Sequence, residues 1–495
     1  MYQTIILGSI LLVSFYILKR VRKPKFNMPP LVRYNIPIIG HTYSYTFNSE
    51  EFLKQCKKEY GGIFSIYVWG QVRTIVGKEY SQEILSRDDA FNFGKAFFEI
   101  IPYDLLLKHM GLVNMLNMPK LLKEHIFCKL NFYSERMQKC LHSATQKYID
   151  SNVHDDPKVF DNMYFLIIKI ISTPVANVFI GEEESKNEEV VTTFAEFTSD
   201  LSALIKIPPF LNFFYPGLLN RILVSSGLYN PAIKHRNILI KYIKNQVCKR
   251  LQEKAKYGDS WKRPDDLLQD IIEQENIDDL NNVNYLSLAD KLLLFLFASI
   301  HTTSNGCANA LMDLASRPQY MQELYEEQLE VHKEADENGL LPFEALDNMK
   351  KLDSFIRESL RLTGHILALD HSVLKDYTFS NGLQLPKDHI VKIYVDDIYQ
   401  DELLQGPNPK SFEPFRHVDT NVPASKIGKN FMLFGGGKHA CPGRHFAINE
   451  IKFFLHNIIL KYNICTKSGK IEGRRMYGPT AYPSSSGIII EKRVK

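Results

Sequence analysis

Phe434-Gly-Gly-Gly-Lys-His-Ala-Cys441-Pro-Gly443 is the stretch on which the reading of this 495-residue chain turns. It sets one cysteine at the end of a glycine-rich loop and directly ahead of a helical pattern. A sulfur held there lies near backbone N–H groups and the positive end of a helix, which together favour the thiolate and lower its pKa. The three consecutive glycines let the backbone turn tightly and come close to a flat partner. Phe434 would shield the sulfur from water. A cysteine met alone is most often a small buried hydrophobe; one that closes a loop of this composition reads instead as an anionic metal ligand.

Five positions of the stretch, at their spacing, resemble the haem loop of cytochrome P450 enzymes, Phe-x-x-Gly-x-[Arg/His]-x-Cys-x-Gly. The resemblance implies that Cys441 is the axial ligand of a haem iron, where a thiolate pushes electron density toward O–O cleavage. It also implies that Phe434, Gly437 and His439 line that cofactor. Two further motifs extend it over essentially the whole chain. Glu358-Ser-Leu-Arg361 places an acid and a base at i and i+3 on one helix face, a pattern that alone is common and at a surface worth well under about 1 kcal/mol. Phe412-Glu-Pro414-Phe-Arg416 follows 51–58 residues on and precedes the cysteine loop. By resemblance Glu358, Arg361 and Arg416 form a buried ionic triad behind the haem.

Between these lies a helix expected from near Leu288, almost uniformly apolar over Leu292–Ile300 and therefore buried at the centre of the fold. His301-Thr302-Thr303 near its middle is costly there unless hydrogen-bonded or used. Adjacent threonines can simply bond back to the carbonyl four residues earlier. The resemblance gives Thr302 the hydroxyl that holds water for proton delivery to bound O2. Most relatives carry an acid before that threonine; here it is His301, whose ordinary pKa near neutrality suits a proton relay. Ser299 stands where the family has a glycine that kinks the helix.

Haem propionates require cationic or donor partners. His439 stands in place of the usual arginine two residues before the cysteine. His371 stands for the arginine expected after the Glu-x-x-Arg helix. The family's early Trp-x-x-x-Arg is absent, since Trp69 and Trp261 are the only tryptophans, and Lys123, His125 and Lys129 are the candidates for its place. Substrate-facing candidates by position are Phe97 and Phe98, then Phe295 and Ala298, Ile366 and Leu367, and Tyr482. Together they predict a closed apolar pocket for a lipophilic molecule. The resemblance suggests a terpenoid or steroid skeleton, with fatty acids as the alternative.

Composition agrees with a globular catalytic domain: 45% hydrophobic and 23% charged residues. The fold class expected is mostly α with a small β portion, the P450-type fold behind one N-terminal transmembrane helix. Ile63–Trp69 and Val72–Val76 read as a hairpin, and further strand signals fall at 377–382, 390–394 and 487–491. From about 118 to 330 the period is helical, broken at Pro208-Pro209, Pro216-Gly217 and Pro264.

Residues 1–18 carry no charge and would span roughly 27 Å as a helix, close to the hydrocarbon thickness of a bilayer. A basic cluster follows, and residues 1–49 hold six basic side chains and no acidic one. That outweighs the whole chain's formal charge of +4, so the remainder is slightly acidic and no nucleic-acid partner is expected. The domains expected are an anchor at 1–18, a basic and proline-rich linker at 19–40 and a haem-thiolate domain at 41–495. The positive-inside rule then leaves the catalytic domain of a single-pass protein in the cytosol, and the resemblance to microsomal haem-thiolate enzymes implies the endoplasmic reticulum membrane. Seven cysteines, an odd number without zinc-like spacing, predict no structural disulfide. No dinucleotide fingerprint occurs, so electrons must come from a separate NADPH-cytochrome P450 reductase, docking near Lys438 and Arg444. Two alternatives stand beside this reading. One is the same fold acting on peroxides as a reductase-independent isomerase or dehydratase; the other is a non-catalytic membrane haem-binding protein.

Overall fold

Runs with a 3.6-residue period fold as helices, of which Glu188–Lys206 stops just before Pro208-Pro209 while Met163–Ile180 carries Pro174 inside it. In this computed structural model, which describes Ser14 and residues 26–111, 120, 122–124, 126–153 and 156–493, they are Leu130–Tyr148, Met163–Ile180, Glu188–Lys206, Pro231–Tyr257 and Tyr285–Leu296, continued by Thr302–Ala315. The starts are capped as the sequence dictates. Asn187 accepts from the Glu189 N–H, Asn284 accepts from the Ser287 N–H, and Pro231 occupies a first position that has no N–H to satisfy. The expected anchor at 1–18, Ser14 apart, and the basic start of the linker at 19–25 lie outside the described residues.

Met163–Ile180 and Tyr285–Ala315 are each long and apolar enough to cross a membrane, yet 78% and 67% of their apolar windows are buried inside the molecule. They are core helices, apolar all round because protein surrounds them. Their side chains, with those of Lys350–Arg361 and Arg444–Lys461, form the larger hydrophobic cluster.

The hairpin expected at 63–76 is present as Ile63–Val68 paired antiparallel with Gln71–Val76. Trp69 and Gly70 turn it with φ of +52° and +76°, the left-handed pair that matches strand twist in a two-residue turn. It opens a five-stranded sheet, continued by Ile390–Tyr394, Leu367–Val373 and Phe91–Asn92. The Pro-rich stretch lies along this sheet. Val32 N–H donates to the Ser65 carbonyl at 2.9 Å, and Ser65 N–H donates to Pro30 at 2.8 Å.

Leu367–Val373 carried no strand signal, because Asp370 and His371 interrupt its apolar alternation. Its pairing with Ile390–Tyr394 shifts register between Ala368 and His371, and Leu369 adopts φ +54°. The C-terminal strand, Ile488–Lys492, pairs with Tyr462–Thr466 and Lys158–Phe160.

Candidate functional site

The glycine-rich loop is closed by its own backbone: Cys441 N–H donates to the Phe434 carbonyl at 2.8 Å, and Gly435 N–H to Met432 at 2.9 Å. Gly437 has φ +58°, and a Cβ on it would lie 2.3 Å from the Leu85 carbonyl oxygen. Its lack of a side chain is thus required by the neighbouring polypeptide, the Ser81–Ser86 helix, rather than by approach to a flat ligand alone. The backbone N–H groups of Gly443 and Arg444 point at the Cys441 sulfur, as expected, and the Arg444 guanidinium adds positive charge. Burial nevertheless outweighs them and pushes the thiol above its ordinary pKa.

The central helix is not continuous. Phe297–His301 forms a π-helical turn between the two α segments, at the place where Ser299 replaces the family's glycine. Such one-turn bulges are frequent at functional sites. Over Leu288–Ala315, which is mostly buried, Ala298 and Thr302 are exposed and Leu294, Ser299, His301 and Asn305 half-buried. Residues at i, i+4 and i+8 lie on one face, so an open stripe runs along a helix deep in the fold. Thr302 Oγ1 donates back to the Ala298 carbonyl at 2.7 Å, which leaves the hydroxyl oxygen able to accept.

His301 stacks on Phe297 with ring centroids 5.1 Å apart. Its Nδ1 lies 3.2 Å from Ser202 Oγ, and its Nε2 lies 3.4 Å from Asn305 Nδ2. Tyr164 donates to Asn305 Oδ1 at 2.7 Å and extends the chain of polar groups. Burial, aided by Lys206 and His365, lowers the His301 pKa to about 4. The imidazole is therefore neutral at physiological pH rather than poised near it. Ser202, Asn305 and Tyr164 match no motif in the sequence, and only the packing of their helices brings them together.

Glu358, Arg361 and Arg416 meet in the interior. Arg361 Nη2 and Nε donate to the two Glu358 oxygens at 2.7 and 2.8 Å, and Arg416 Nε reaches Oε1 at 3.3 Å. Arg361 also donates to the carbonyls of Tyr399 and Pro409, each at 2.6 Å. The helix Lys350–Arg361 is thereby tied to the chain that leads into the cysteine loop. Gly306 completes this frame: a Cβ there would lie 2.9 Å from Ile451 Cδ1, so the central helix crosses Arg444–Lys461 one turn beyond Thr302.

A family model described as Cytochrome P450 matches residues 29–479. The chain belongs to the cytochrome P450 family. Among curated relatives, cytochrome P450 monooxygenase AN1598 of Emericella nidulans is 29% identical over 387 residues, covering 76% of this chain and 70% of the relative. Cytochrome P450 monooxygenase 71 of Postia placenta is 32% identical over 338 residues, 66% of this chain and 64% of its own length. The olcJ monooxygenase of Penicillium canescens is 26% identical over 459 residues, 87% and 82% of the two chains. A solved structure of cyanobacterial CYP120A1 with bound retinoic acid superposes with a TM-score of 0.68 at 19% identity, over 95% of this chain and 100% of the other. The fold is therefore the P450 fold and the cofactor haem.

The P450 residues fit that cofactor on two observations. Thr302 and Ala298 stay exposed at the centre of a buried helix, as they would on the wall of a ligand cavity, and Cys441 and Phe434 are half-open beside N–H donors suited to a thiolate. His371 is buried and bonds the Leu369 carbonyl through Nδ1 at 2.6 Å, while the exposed His439 lies close enough to act on it electrostatically. Lys129 instead pairs with Asp265 at 3.8 Å, Lys123 is exposed, and His125 lies outside the described residues.

The pocket candidates divide. Phe97 is half-buried and stacks on Phe297, with Phe98 against Tyr103. Phe295 is buried edge-on against Phe179, off the open stripe, and Leu294 takes its place there. Ile366 and Leu367 are buried in the smaller cluster under the sheet, with Val32, Leu53 and Phe64. Ala368 and Leu369 pack against the larger core instead. Tyr482 is half-buried beside Lys206, whose Nζ sits 5.0 Å from its ring centroid.

Proposed function

We propose that this P450 is a membrane-anchored monooxygenase that hydroxylates a lipophilic substrate, of terpenoid or steroid skeleton, with O2 and electrons from NADPH-cytochrome P450 reductase. The observation that carries the reading is the open stripe of Ala298 and Thr302 on a helix otherwise sealed in the core, with a threonine hydroxyl at its centre. In this reading Cys441 holds the iron, and Arg444 and the N–H groups beside the sulfur stabilise its thiolate. His371 and His439 hold the propionates. Haem, when bound, supplies O2 activation for insertion of one oxygen atom into a C–H bond.

The protein's own part is proton supply and exclusion of bulk water. Thr302 orients a water through the lone pairs that its bond to Ala298 leaves free. His301, neutral and bracketed by Ser202 and Asn305, passes a proton through one ring nitrogen while the other receives. Retention of the hydroxyl on the open stripe favours oxygen insertion over the peroxide-rearranging alternative. The apolar and basic pattern of the N-terminus supports anchoring at 1–18 with a cytosolic catalytic domain, and the resemblance to microsomal members of the family supports the endoplasmic reticulum as the membrane. Lys438 is exposed at the rim of the loop, 3.0 Å from Asp88, and supports reductase docking there; Lys438→Glu should raise the reductase concentration needed for half-maximal turnover.

The deciding experiment is the ferrous-CO minus ferrous difference spectrum of membranes containing the protein, beside Cys441→Ala. A red-shifted Soret band that disappears in the variant supports thiolate ligation. A haem-loaded, folded protein without that band removes the monooxygenase reading.

A further inference from the structure

Near its C-terminal end the Pro231–Tyr257 helix is tied to the short helix Leu267–Gln274 by Arg250, whose two Nη groups donate to Asp266 at 2.8 and 2.7 Å. A cavity of about 230 Å³ opens between these helices. Its lining residues all fall within 250–278, clear of the central helix and of the cysteine loop. Three of them each keep one buried polar atom without a hydrogen-bond partner among the described residues: Arg250 Nε, Trp261 Nε1 and Gln269 Oε1. Arg250 and Gln269 are only 4% and 2% exposed. Buried groups of this kind are costly when left unpaired, so each calls for an occupant that pairs it.

The surrounding bonds fix what each atom offers. Arg250 commits both Nη groups to Asp266, and one also to the Ile180 carbonyl at 3.3 Å, so Nε–H is its spare donor. Gln269 Nε2 donates to Glu273 Oε1 at 2.9 Å, which orients the amide and leaves Oε1 as a spare acceptor. The indole N–H of Trp261 can only donate, and Lys254, one turn on from Arg250, sits with Nζ 5.9 Å from that ring's centroid. The charges nearby are already matched. Arg250 faces Asp266, Glu273 is held by Arg263 Nε at 2.9 Å, and the exposed Lys254 and Asp278 at the rim are of opposite sign. An anion would satisfy the two donors but leave Gln269 Oε1 unpaired, and a cation would face the two donors. A carbonyl oxygen has two lone pairs for the two N–H groups, and an N–H beside it on the same edge serves Gln269. An amide shows both on one edge when it is cis, as a ring makes it.

We propose that this cavity is a binding site for a small neutral cyclic amide, the chemistry a pyrimidine base presents, held by Arg250 Nε, Trp261 Nε1 and Gln269 Oε1. Leu251, Ile272 and Ile277 give it apolar walls. Its volume lies below the usual range of about 300–1,000 Å³ for ligand pockets, which suits one or two rings. Ordered water is the competing occupant, since water also bridges unpaired buried groups. The site stands apart from the haem loop and does not rest on the monooxygenase reading.

The test measures heats of binding of uracil, 1,3-dimethyluracil and benzoate to the full-length, haem-loaded protein, with the Soret band followed in the same titrations. Uracil should bind at least about tenfold tighter than 1,3-dimethyluracil, which keeps the carbonyls but has no N–H for Gln269. It should also bind tighter than benzoate, and the Soret band should stay in place because the cavity is clear of the haem loop. Gln269→Met, close in shape but without the acceptor, should bring the ratio of uracil to dimethyluracil affinity close to one. Trp261→Phe should weaken uracil several-fold, and an unaltered CO difference spectrum in both variants shows the fold intact. No heat with uracil leaves the cavity to water and overturns the proposal. Equal binding of uracil and its dimethyl derivative, tighter binding of benzoate, a Soret shift driven by uracil, or a preference kept in Gln269→Met overturns it as well.

Discussion

Replacing Glu358 with alanine removes the one carboxylate shared by two buried arginines. Four donors lose their acceptor: Arg361 Nη2 and Nε at 2.7 and 2.8 Å, the Glu413 N–H at 3.0 Å and Arg416 Nε at 3.3 Å. Glu358 itself is fully buried and Arg361 is 1% exposed, so water cannot replace the lost partner without opening the core. Both arginines keep neutral carbonyl acceptors, Tyr399 and Pro409 for one, Pro407 and Asn408 for the other; Arg416 also keeps the Glu413 carboxylate at 3.1 Å, but Arg361 loses its counter-charge. Breaking a buried pair from one side costs about 3–5 kcal/mol, and alanine leaves a void besides. Against a total stability of about 5–15 kcal/mol that is about a fifth or more. Glu358→Gln keeps the shape and part of the hydrogen bonding and should lose less, about 1.5–3 kcal/mol.

The assay is urea unfolding of the haem-loaded protein, followed by fluorescence of Trp69 and Trp261 and by the Soret band. Urea leaves ionic interactions unscreened, and the midpoint shift multiplied by the slope gives the free-energy change. The exposed Glu182–Lys186 pair, 2.8 Å apart, is the control, and Glu182→Ala should cost under about 0.5 kcal/mol. A Glu358→Ala midpoint no lower than that control would show that the triad does not hold the core together.

Three other outcomes are expected. Gly437→Ala forces a left-handed φ, at about 1–2 kcal/mol, and drives a methyl against the Leu85 carbonyl; the haem-to-protein ratio should fall well below that of Gly473→Ala, a glycine with nothing within 4 Å, and equal ratios would contradict the close approach. Thr302→Val keeps the shape but loses the hydroxyl, so NADPH consumed per molecule of product should rise several-fold while substrate affinity stays level; unchanged coupling would remove Thr302 from proton supply. His301, His365 and His417 each have pKa values lowered to about 4 by burial. The unfolded chain then takes up more protons below about pH 6.5, so stability is full above that value and declines as pH falls from 6.5 toward 4. His301→Gln should narrow the gap between the pH 7.5 and pH 5 unfolding midpoints, and an unchanged gap would mean that the imidazole is already protonated in the fold.

The cysteine loop, the Glu-x-x-Arg pair, the later arginine and the hairpin at 63–76 were legible in the sequence because each is local. A turn, a cap or an i, i+3 pair depends on residues a few positions apart, and the helix breaks at prolines 208, 209 and 216 follow from the missing N–H. The uniformly apolar run Leu292–Ile300 likewise marked the central helix as core.

Long-range packing decided the rest. Leu367–Val373 is a strand because Ile390–Tyr394 lies beside it, and Val32, Leu53 and Phe64, distant in sequence, are what cover Ile366 and Leu367. Phe295 and Leu294 are adjacent apolar residues, and only the neighbour Phe179 determines which of them is sealed. The pKa values diverged from expectation for the same reason. Cys441 and His301 carry ordinary local signals, yet burial by segments far away in sequence moves one thiol up and one imidazole down. Desolvation is a property of everything that surrounds a group, and a sequence records only its chain neighbours.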